Sequence, residues 1–321
     1  MRLGLLSTAR INELLVAGAR RARGIEVVAI GSRDRDRAEA QAHELGVPRA
    51  YGSYEELLAD ADVDAVYVAL PNSLHIEWSL RALQAGRHVL CEKPLSRHPD
   101  EVALAFDAAE RGGLVLAEGF MWRHHPQARR LVELLEQIGE LRLIRASFSF
   151  LLERADDVRL QGELDGGALM DVGCYCLSAA RLLAGEPVAV SAHQVRGGDG
   201  VDTRLTGLLR FRRDVLATID CGLDLAARDG LEVTGTQGVL WLDDPWHCRS
   251  PSIELRRADG SVELSAIEPL DPYACELEDF SAAVSGERAP RFGREDAVAQ
   301  ARAIAAVYTS AEANETTEVE P

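Results

Sequence analysis

One residue type is almost missing from this chain. Of its 35 basic residues only Lys93 is a lysine. It stands in VLCEKPL, Val89–Leu95. Arginine stays protonated at any working pH, whereas burial or a neighbouring charge can make a lysine ammonium titrate. A site that must exchange a proton tolerates Lys and not Arg. A genome that favours arginine codons explains the absence of lysine elsewhere but says nothing about this position.

Other stretches carry groups that a nucleotide could use. GLLSTARI, Gly4–Ile11, is a degenerate form of the G-x-G-x-x-G/A fingerprint, with Ser7 at the second glycine position. Here Ser7, Thr8, Ala9, Arg10 and Ile11 form the turn before a helix whose free amides can hold a pyrophosphate. The bland alternative is an ordinary strand-to-helix turn. AIGSRDRDRA ends a strand in Ser32 and Arg33, with Arg37 close behind. NAD binders place an acid there for the ribose 2′-hydroxyl, and NADP binders place Arg there for the 2′-phosphate. A hydroxyl and a guanidinium suit a phosphate dianion. Asp34 comes one or two positions late to serve as the ribose acid, so NADP is favoured over NAD. A solvated helix start fits the same charges. VALPNSLH and VLCEKP bring Leu70, Asn72, His75, Glu92 and Lys93 to strand ends facing the same crevice.

These residues need a scaffold. Near-continuous apolar runs at Leu3–Leu6, Ile25–Gly31, Val63–Leu70, Val89–Cys91 and Leu114–Ala117 read as strands buried on both faces. They alternate with helical patterns at 11–22, 35–45, 54–59, 74–85 and 99–111. That alternation predicts βαβ units and a doubly wound parallel sheet, a Rossmann domain over residues 1–120, with its ligand at the carboxyl ends of the strands. From about residue 120 the period changes. A helix over 127–137 leads into the alternating LRLIRASFSFLLE. Short strands follow at 219–225, 231–234, 239–242, 253–257 and 262–264, between turn signals such as ARDG and GTQG. With helices at 170–183, 272–284 and 295–311, residues 121–321 read as an α+β domain built on a large, open, mostly antiparallel sheet. The fold class is α/β, and the acidic tail ANETTEVEP should fray.

Composition excludes several functions. A net charge of −17 makes a poor partner for nucleic acid or an anionic membrane. No run approaches the ~18 apolar residues of a membrane span, and Arg10, Asn12 and Glu13 break any signal peptide. Six scattered cysteines read as reduced thiols in a cytoplasmic protein. Neither CYC at 174–176 nor the pair His124-His125 has metal-site spacing, so no metal is expected.

The run PNSLH…AGRHVLCEKPL resembles the Gfo/Idh/MocA oxidoreductases, whose signature is a Glu-Lys-Pro after the fifth strand. AEGFMWRHHPQARRL and GGALMDVGCYCLSAARLLAGEP are similar to two further family segments. The resemblance implies a Rossmann domain followed by an α+β domain whose sheet often forms an oligomer interface, here of a homodimer or homotetramer. It implies hydride transfer between NAD(P) and a hydroxyl or carbonyl of a sugar, polyol or related ring. Carried over by residue, Lys93 matches the catalytic lysine and Glu92 its cofactor-facing neighbour. Asp171 matches the aspartate of the D-x-G-x-x segment. Four residues on, many members have His; this chain has Tyr175. With STARI and FMWRHHPQ, that tyrosine resembles the branch of dimeric dihydrodiol dehydrogenase and NADP-dependent D-xylose dehydrogenase.

The resemblance implies a mechanism. Hydride leaves a carbinol carbon only as its hydroxyl proton is taken up. A nearby ammonium and an oxidised nicotinamide both favour tyrosinate. Tyr175 would exchange the proton and Lys93 would polarise the same oxygen, the two titrating as a unit. Asp171, one helical turn from Tyr175, would orient Lys93 or bind a substrate hydroxyl; it also reads as a helix N-cap after the Gly-Gly turn. Arg123 could meet cofactor or substrate, Trp122 could face a sugar ring, and Arg159 could line the same pocket. The resulting expectation is an NADP-dependent oxidoreductase acting on a small carbohydrate-like molecule. Its rivals are a redox-neutral glycosidase or epimerase-like enzyme and a nucleotide-sensing regulator.

Overall fold

In the computed structural model, which describes residues 1–319, the first third of the chain alternates strand and helix. The order is β1 (Arg2–Leu6), α1 (Asn12–Ala19), β2 (Glu26–Gly31), α2 (Arg35–Leu45), β3 (Arg49–Tyr51), α3 (Tyr54–Leu58), β4 (Ala65–Val68), α4 (His75–Gln84), β5 (His88–Glu92), α5 (Pro99–Gly112) and β6 (Leu116–Gly119). All six strands pair in parallel, in the order β3-β2-β1-β4-β5-β6. The reason is local. β4 reads AVYV and every residue is buried. A strand with no polar face needs cover on both sides, which helical crossovers supply. Strand order reverses between β1 and β4, the switch point where α/β sheets bind ligands. The turns after β1, β2, β4 and β5 therefore carry the candidate residues.

The chain continues through α6 (Met121–His124), α7 (Pro126–Leu134), β7 (Leu141–Leu151), a π-helical turn Leu169–Gly173, α8 (Cys174–Ala184), β8 (Pro187–Arg196) and β9 (Asp202–Phe211). Then come β10 (Leu216–Gly222), β11 (Asp224–Gly235), β12 (Gly238–Leu242), β13 (Ser252–Arg257), β14 (Val262–Ala266), α9 (Pro272–Val284), α10 (Arg294–Ala313) and β15 (Thr317–Glu318). Nine strands form one sheet, ordered β14-β13-β12-β11-β7-β10-β9-β8-β15. Among the described residues of this sheet only β7–β10 pairs in parallel. α8 packs on β7 and β10, and Gly173 is needed there: a Cβ would lie 2.7 Å from the Cys221 sulfur.

The chain divides into two compact units. One is Met1–Ser96, Asp100–Met121 and Asp271–Val298; the other is Arg97–Pro99, Trp122–Leu270 and Ala299–Pro321. The expected division at residue 120 therefore differs over 271–298. α9 returns to pack on α1, so tightly that a Cβ on Gly18 would sit 2.7 Å from the Tyr273 Cβ. β8 and β9 were absent from the expected strands, although Leu205, Gly207, Leu209 and Phe211 alternate inward as a strand period demands. The tail also departs from expectation, since Thr317–Glu318 pairs with β8; Glu320 and Pro321 lie outside the described residues. The segment 162–184 is long and apolar enough to cross a bilayer, which the expectation missed, but 83% of its apolar window is buried inside the protein.

Candidate active site

The turn after β1 is preset by side chains behind it. Ser7 sits at φ 113°, a conformation costly for a residue with a Cβ. Its hydroxyl donates to the Ala69 carbonyl at 2.7 Å and accepts the Ala9 amide at 3.1 Å. Buried Asn12 donates to the Ser7 carbonyl and to Gln41, both at 2.9 Å, and Gln41 donates to the Ala9 carbonyl at 3.2 Å. Thr8, Ala9, Arg10 and Ile11 stay at least partly exposed, and no side chain caps α1. An uncapped helix N-terminus at a sheet's switch point fits a pyrophosphate.

The turn after β2 bears on the ribose. Asp34 caps α2, accepting the Arg37 amide at 3.1 Å, so its carboxylate is committed to the helix. Buried Ser32 accepts the Asp34 amide at 3.2 Å. Arg35 pairs with Glu56 at 2.9 Å, whereas the Arg33 guanidinium meets the Tyr54 hydroxyl. Burial, more than that guanidinium, sets the phenol, and pushes its pKa up. Arg33 and Arg37 remain exposed beside Ser32, a donor set that fits a 2′-phosphate.

Three neighbours pin the turn that carries Lys93. The Lys93–Pro94 peptide is cis. His75, 1% exposed, faces the Pro94 carbonyl with Nδ1 at 2.9 Å and the Leu70 carbonyl with Nε2 at 2.8 Å. The His75 ring is thus a brace between two strand ends. The Leu95 amide donates to Glu118 of β6 at 2.7 Å. Tyr67 of β4 donates its hydroxyl to Glu92, and burial, then the Glu92 charge, push that phenol far above its ordinary pKa, so it stays a donor. Lys93 and Glu92 are half-buried, as is Asn72 in the turn after β4.

In the other unit the π turn over 169–173 leads into α8 and carries Asp171 to Tyr175. Residues four apart on an α-helix are offset by about 40°. The wider π turn brings them closer to eclipsed, and such turns recur at functional sites. Asp171 accepts from Arg159 Nε at 2.7 Å; Asp157 anchors Arg159 through its amide at 3.0 Å and its guanidinium at 3.2 Å. The Asp171 charge holds the Arg159 guanidinium more firmly protonated than usual. Asp171 is therefore an ion-pair partner, and its expected N-cap role falls elsewhere. The Tyr175 ring meets Phe148 edge-on at 5.4 Å and Trp246 at 6.0 Å. Trp122, 2% exposed, abuts Trp246 edge-on at 5.5 Å, so it backs the aromatic wall instead of presenting an open face. Arg123 is 3% exposed.

Among the described residues Asp229, Asp244 and His247 could each offer one ligand atom to a cation, within 4.8 Å of one another. Arg249 pairs with Asp229 at 3.3 Å and Asp244 at 3.5 Å and already supplies the countercharge.

Each unit thus gathers its own candidates: the nucleotide turns and Lys93 in one, Asp171, Arg159, Tyr175 and Trp122 in the other. Reading the sequence missed the supporting residues Asn12, Gln41, Tyr67, Glu118, Phe148 and Trp246. Only Glu118 lies in a quoted family segment, AEGFMWRHHPQARRL, where its role went unread; an asparagine or glutamine inside an otherwise apolar helix face was the available hint for the first two.

Comparison with known proteins follows the same division. Residues 4–120 match the oxidoreductase family with an NAD-binding Rossmann fold, and residues 125–241 match the GFO/IDH/MocA C-terminal domain. A D-xylose 1-dehydrogenase (NADP(+)) of Haloferax volcanii is 42% identical over 325 residues, covering 100% of both chains. A trans-1,2-dihydrobenzene-1,2-diol dehydrogenase of Xenopus laevis is 34% identical over 246 residues, 74% of this chain and 73% of its own. Among solved structures KijD10, a 3-ketoreductase from Actinomadura kijaniata in complex with NADP and TDP-benzene, matches with a TM-score of 0.91 and 35% identity over 97% of each chain.

Proposed function

The chain belongs to the GFO/IDH/MocA family of oxidoreductases, and from that premise we propose that it transfers hydride between NADP and a hydroxyl or carbonyl carbon of a sugar, polyol or dihydrodiol. The observation that carries the reading is the placement of the chain's one lysine, on a turn pinned at the carboxyl end of β5 next to the switch point of the parallel sheet. Ser7–Ile11 and the start of α1 would hold the pyrophosphate, and Ser32, Arg33 and Arg37 the 2′-phosphate. When bound, the nicotinamide accepts or donates the hydride.

This chain's residues handle the proton and the pose. Lys93 polarises the reacting oxygen and Tyr175 exchanges its proton, a contribution of typically ~10² to 10⁴ in rate. Asp171, held by Arg159, fixes a substrate hydroxyl. Phe148 and Trp246, both buried, pack against the Tyr175 ring and hold it in place, and Trp122 backs them. Arg123 stands beside Trp122 in sequence and would reach cofactor or substrate only from a buried position. Leu70 and Asn72 line the nucleotide side. The relatives act on an aldose, a dihydrodiol and a keto-sugar nucleotide by name, and ring polyols are the class they share.

The open sheet supports assembly as a homodimer or homotetramer: Leu208 and Leu216 stand exposed on the face of β9 and β10 turned away from α8. Buried, unreactive thiols suit a cytoplasmic setting, since burial pushes the Cys91, Cys176 and Cys221 pKa values well up.

The test is nicotinamide absorbance across a panel. NADP⁺ is offered with aldopyranoses, polyols and dihydrodiols, and NADPH with dicarbonyls and keto-sugars. Turnover on a ring polyol or its ketone supports the reading and names the substrate class. Silence from protein that binds NADPH, with the bound nucleotide never consumed, favours redox-neutral chemistry or sensing and defeats it.

A further inference from the structure

The helix that carries Asp171 and Tyr175 starts without a cap of its own. Ala168 stands at the N-cap and has no side-chain acceptor. The acceptor comes from a distant strand. Asp202, first residue of β9 and 2% exposed, takes the Leu169 amide on Oδ2 at 2.7 Å. Its Oδ1 takes the Tyr308 hydroxyl of α10 at 2.8 Å. The backbone comes so close that only glycine fits. Gly167 has φ +123°, and a Cβ there would lie 2.2 Å from Asp202 Oδ1 and 3.0 Å from the Tyr308 hydroxyl. The Tyr308 ring is covered by the Arg97 guanidinium, 5.4 Å from its centroid, which also pairs with Asp165 at 3.0 Å. A serine or asparagine at position 168 would cap a helix. A buried carboxylate is costly, and burial does raise the Asp202 pKa, to about 6, against the opposing pull of the Leu169 amide and the Tyr308 hydroxyl. What the carboxylate adds is two acceptors on a rigid strand, one for the helix start and one for α10.

We propose that Asp202 is a positioning residue for Asp171 and Tyr175: it clamps the first turn of their helix to the sheet through Leu169 and is itself held by Tyr308. The inference rests on the proton-handling roles proposed above for that pair. The Asp171 amide donates to the Gly167 carbonyl at 3.0 Å, so slack at Gly167 passes directly to Asp171 and, one turn on, to Tyr175. A misplacement of ~1 Å at a reacting group can lower the rate ~10²-fold.

The experiment compares the full chain with D202A, D202N and Y308F. Amide hydrogen exchange is measured by peptide, alongside NADPH affinity, kcat and KM. In D202A, exchange over residues 168–175 should quicken by ~10-fold or more while peptides from β1 and β4 keep their protection. kcat should fall ~10-fold or more and KM should rise, because Asp171 also fixes a substrate hydroxyl, with the NADPH Kd within about 2-fold. D202N can still accept from Leu169 and donate to the Tyr308 oxygen, so it should recover most of both losses. Y308F removes one hydroxyl and should show a smaller loss of the same kind; it decides the matter if D202A does not fold. Wild-type exchange over 168–175 overturns the proposal, as does faster exchange there with kcat intact. A wild-type protein silent on every substrate sinks the functional reading instead, and unchanged exchange over 168–175 would still overturn the clamp.

Discussion

Replacing Glu276 should stabilise the protein, and by more as pH rises. Glu276 lies on α9, 1% exposed, and neither of its carboxyl oxygens has a hydrogen-bond partner. It sits under the end of the parallel sheet, where a Cβ on Gly119 would lie 3.6 Å from its Oε1. Burial first, then the charges of Glu92 and Asp279, push its pKa well above the ordinary 4.5, and Tyr67 faces it as well. The sign follows. A carboxyl whose folded pKa is raised contributes its full stability below the unfolded pKa and loses it as pH climbs toward the folded value, at ~1.4 kcal/mol per pH unit at most. E276Q keeps the shape and never ionises. It should match wild type near pH 4.5 and be the more stable by a gap that widens as pH rises toward the folded pKa. E276M also removes the orphan oxygens, each worth ~1 to 3 kcal/mol. In a unit of this size 1 kcal/mol moves Tm by ~2 to 4 °C. Calorimetry at pH 5, 6.5 and 8 reads the gap. A gap independent of pH, or an E276Q less stable than wild type at pH 8, would refute a neutral buried acid behind Glu92.

The remaining predictions concern the site. K93R keeps the charge and loses the compact titratable ammonium; NADPH should still bind by fluorescence, and kcat should fall ~10²-fold or more. Y175F should lower kcat by a similar ~10² or more and remove one limb of the pH–rate profile, measured from pH 5 to 10. Replacing both Arg33 and Arg37 with Ala should weaken NADPH by ~10²-fold or more while barely touching NADH, by the loss of charge-assisted bonds to a phosphate, and titration of both nucleotides reads the ratio. R159M should lower kcat with little change in NADPH affinity, because Asp171 would lose the partner that its 2.7 Å bond now fixes.

Part of this protein is legible from its residues alone. Unbroken apolar runs such as AVYV cannot face water, so strand, helix and the parallel sheet followed from burial. Lys93 stood out by residue type, and Ser32, Arg33 and Arg37 by chemistry at a strand end. Asp171 and Tyr175 needed the family resemblance to find. What only the tertiary structure decided was the company these residues keep. Asp34 became a helix cap and so withdrew from the ribose. His75 became a brace between two carbonyls, and Trp122 a buried backing to Trp246. The cap expected of Asp171 came from Asp202, 33 residues from the amide it holds. α9 rejoined the parallel unit after the 149 residues Trp122–Leu270 of the other unit. Periodicity reports which face of an element is buried. It carries no information on which distant side chain will meet that face, because such contacts are fixed by how strands and helices from remote parts of the chain are brought together.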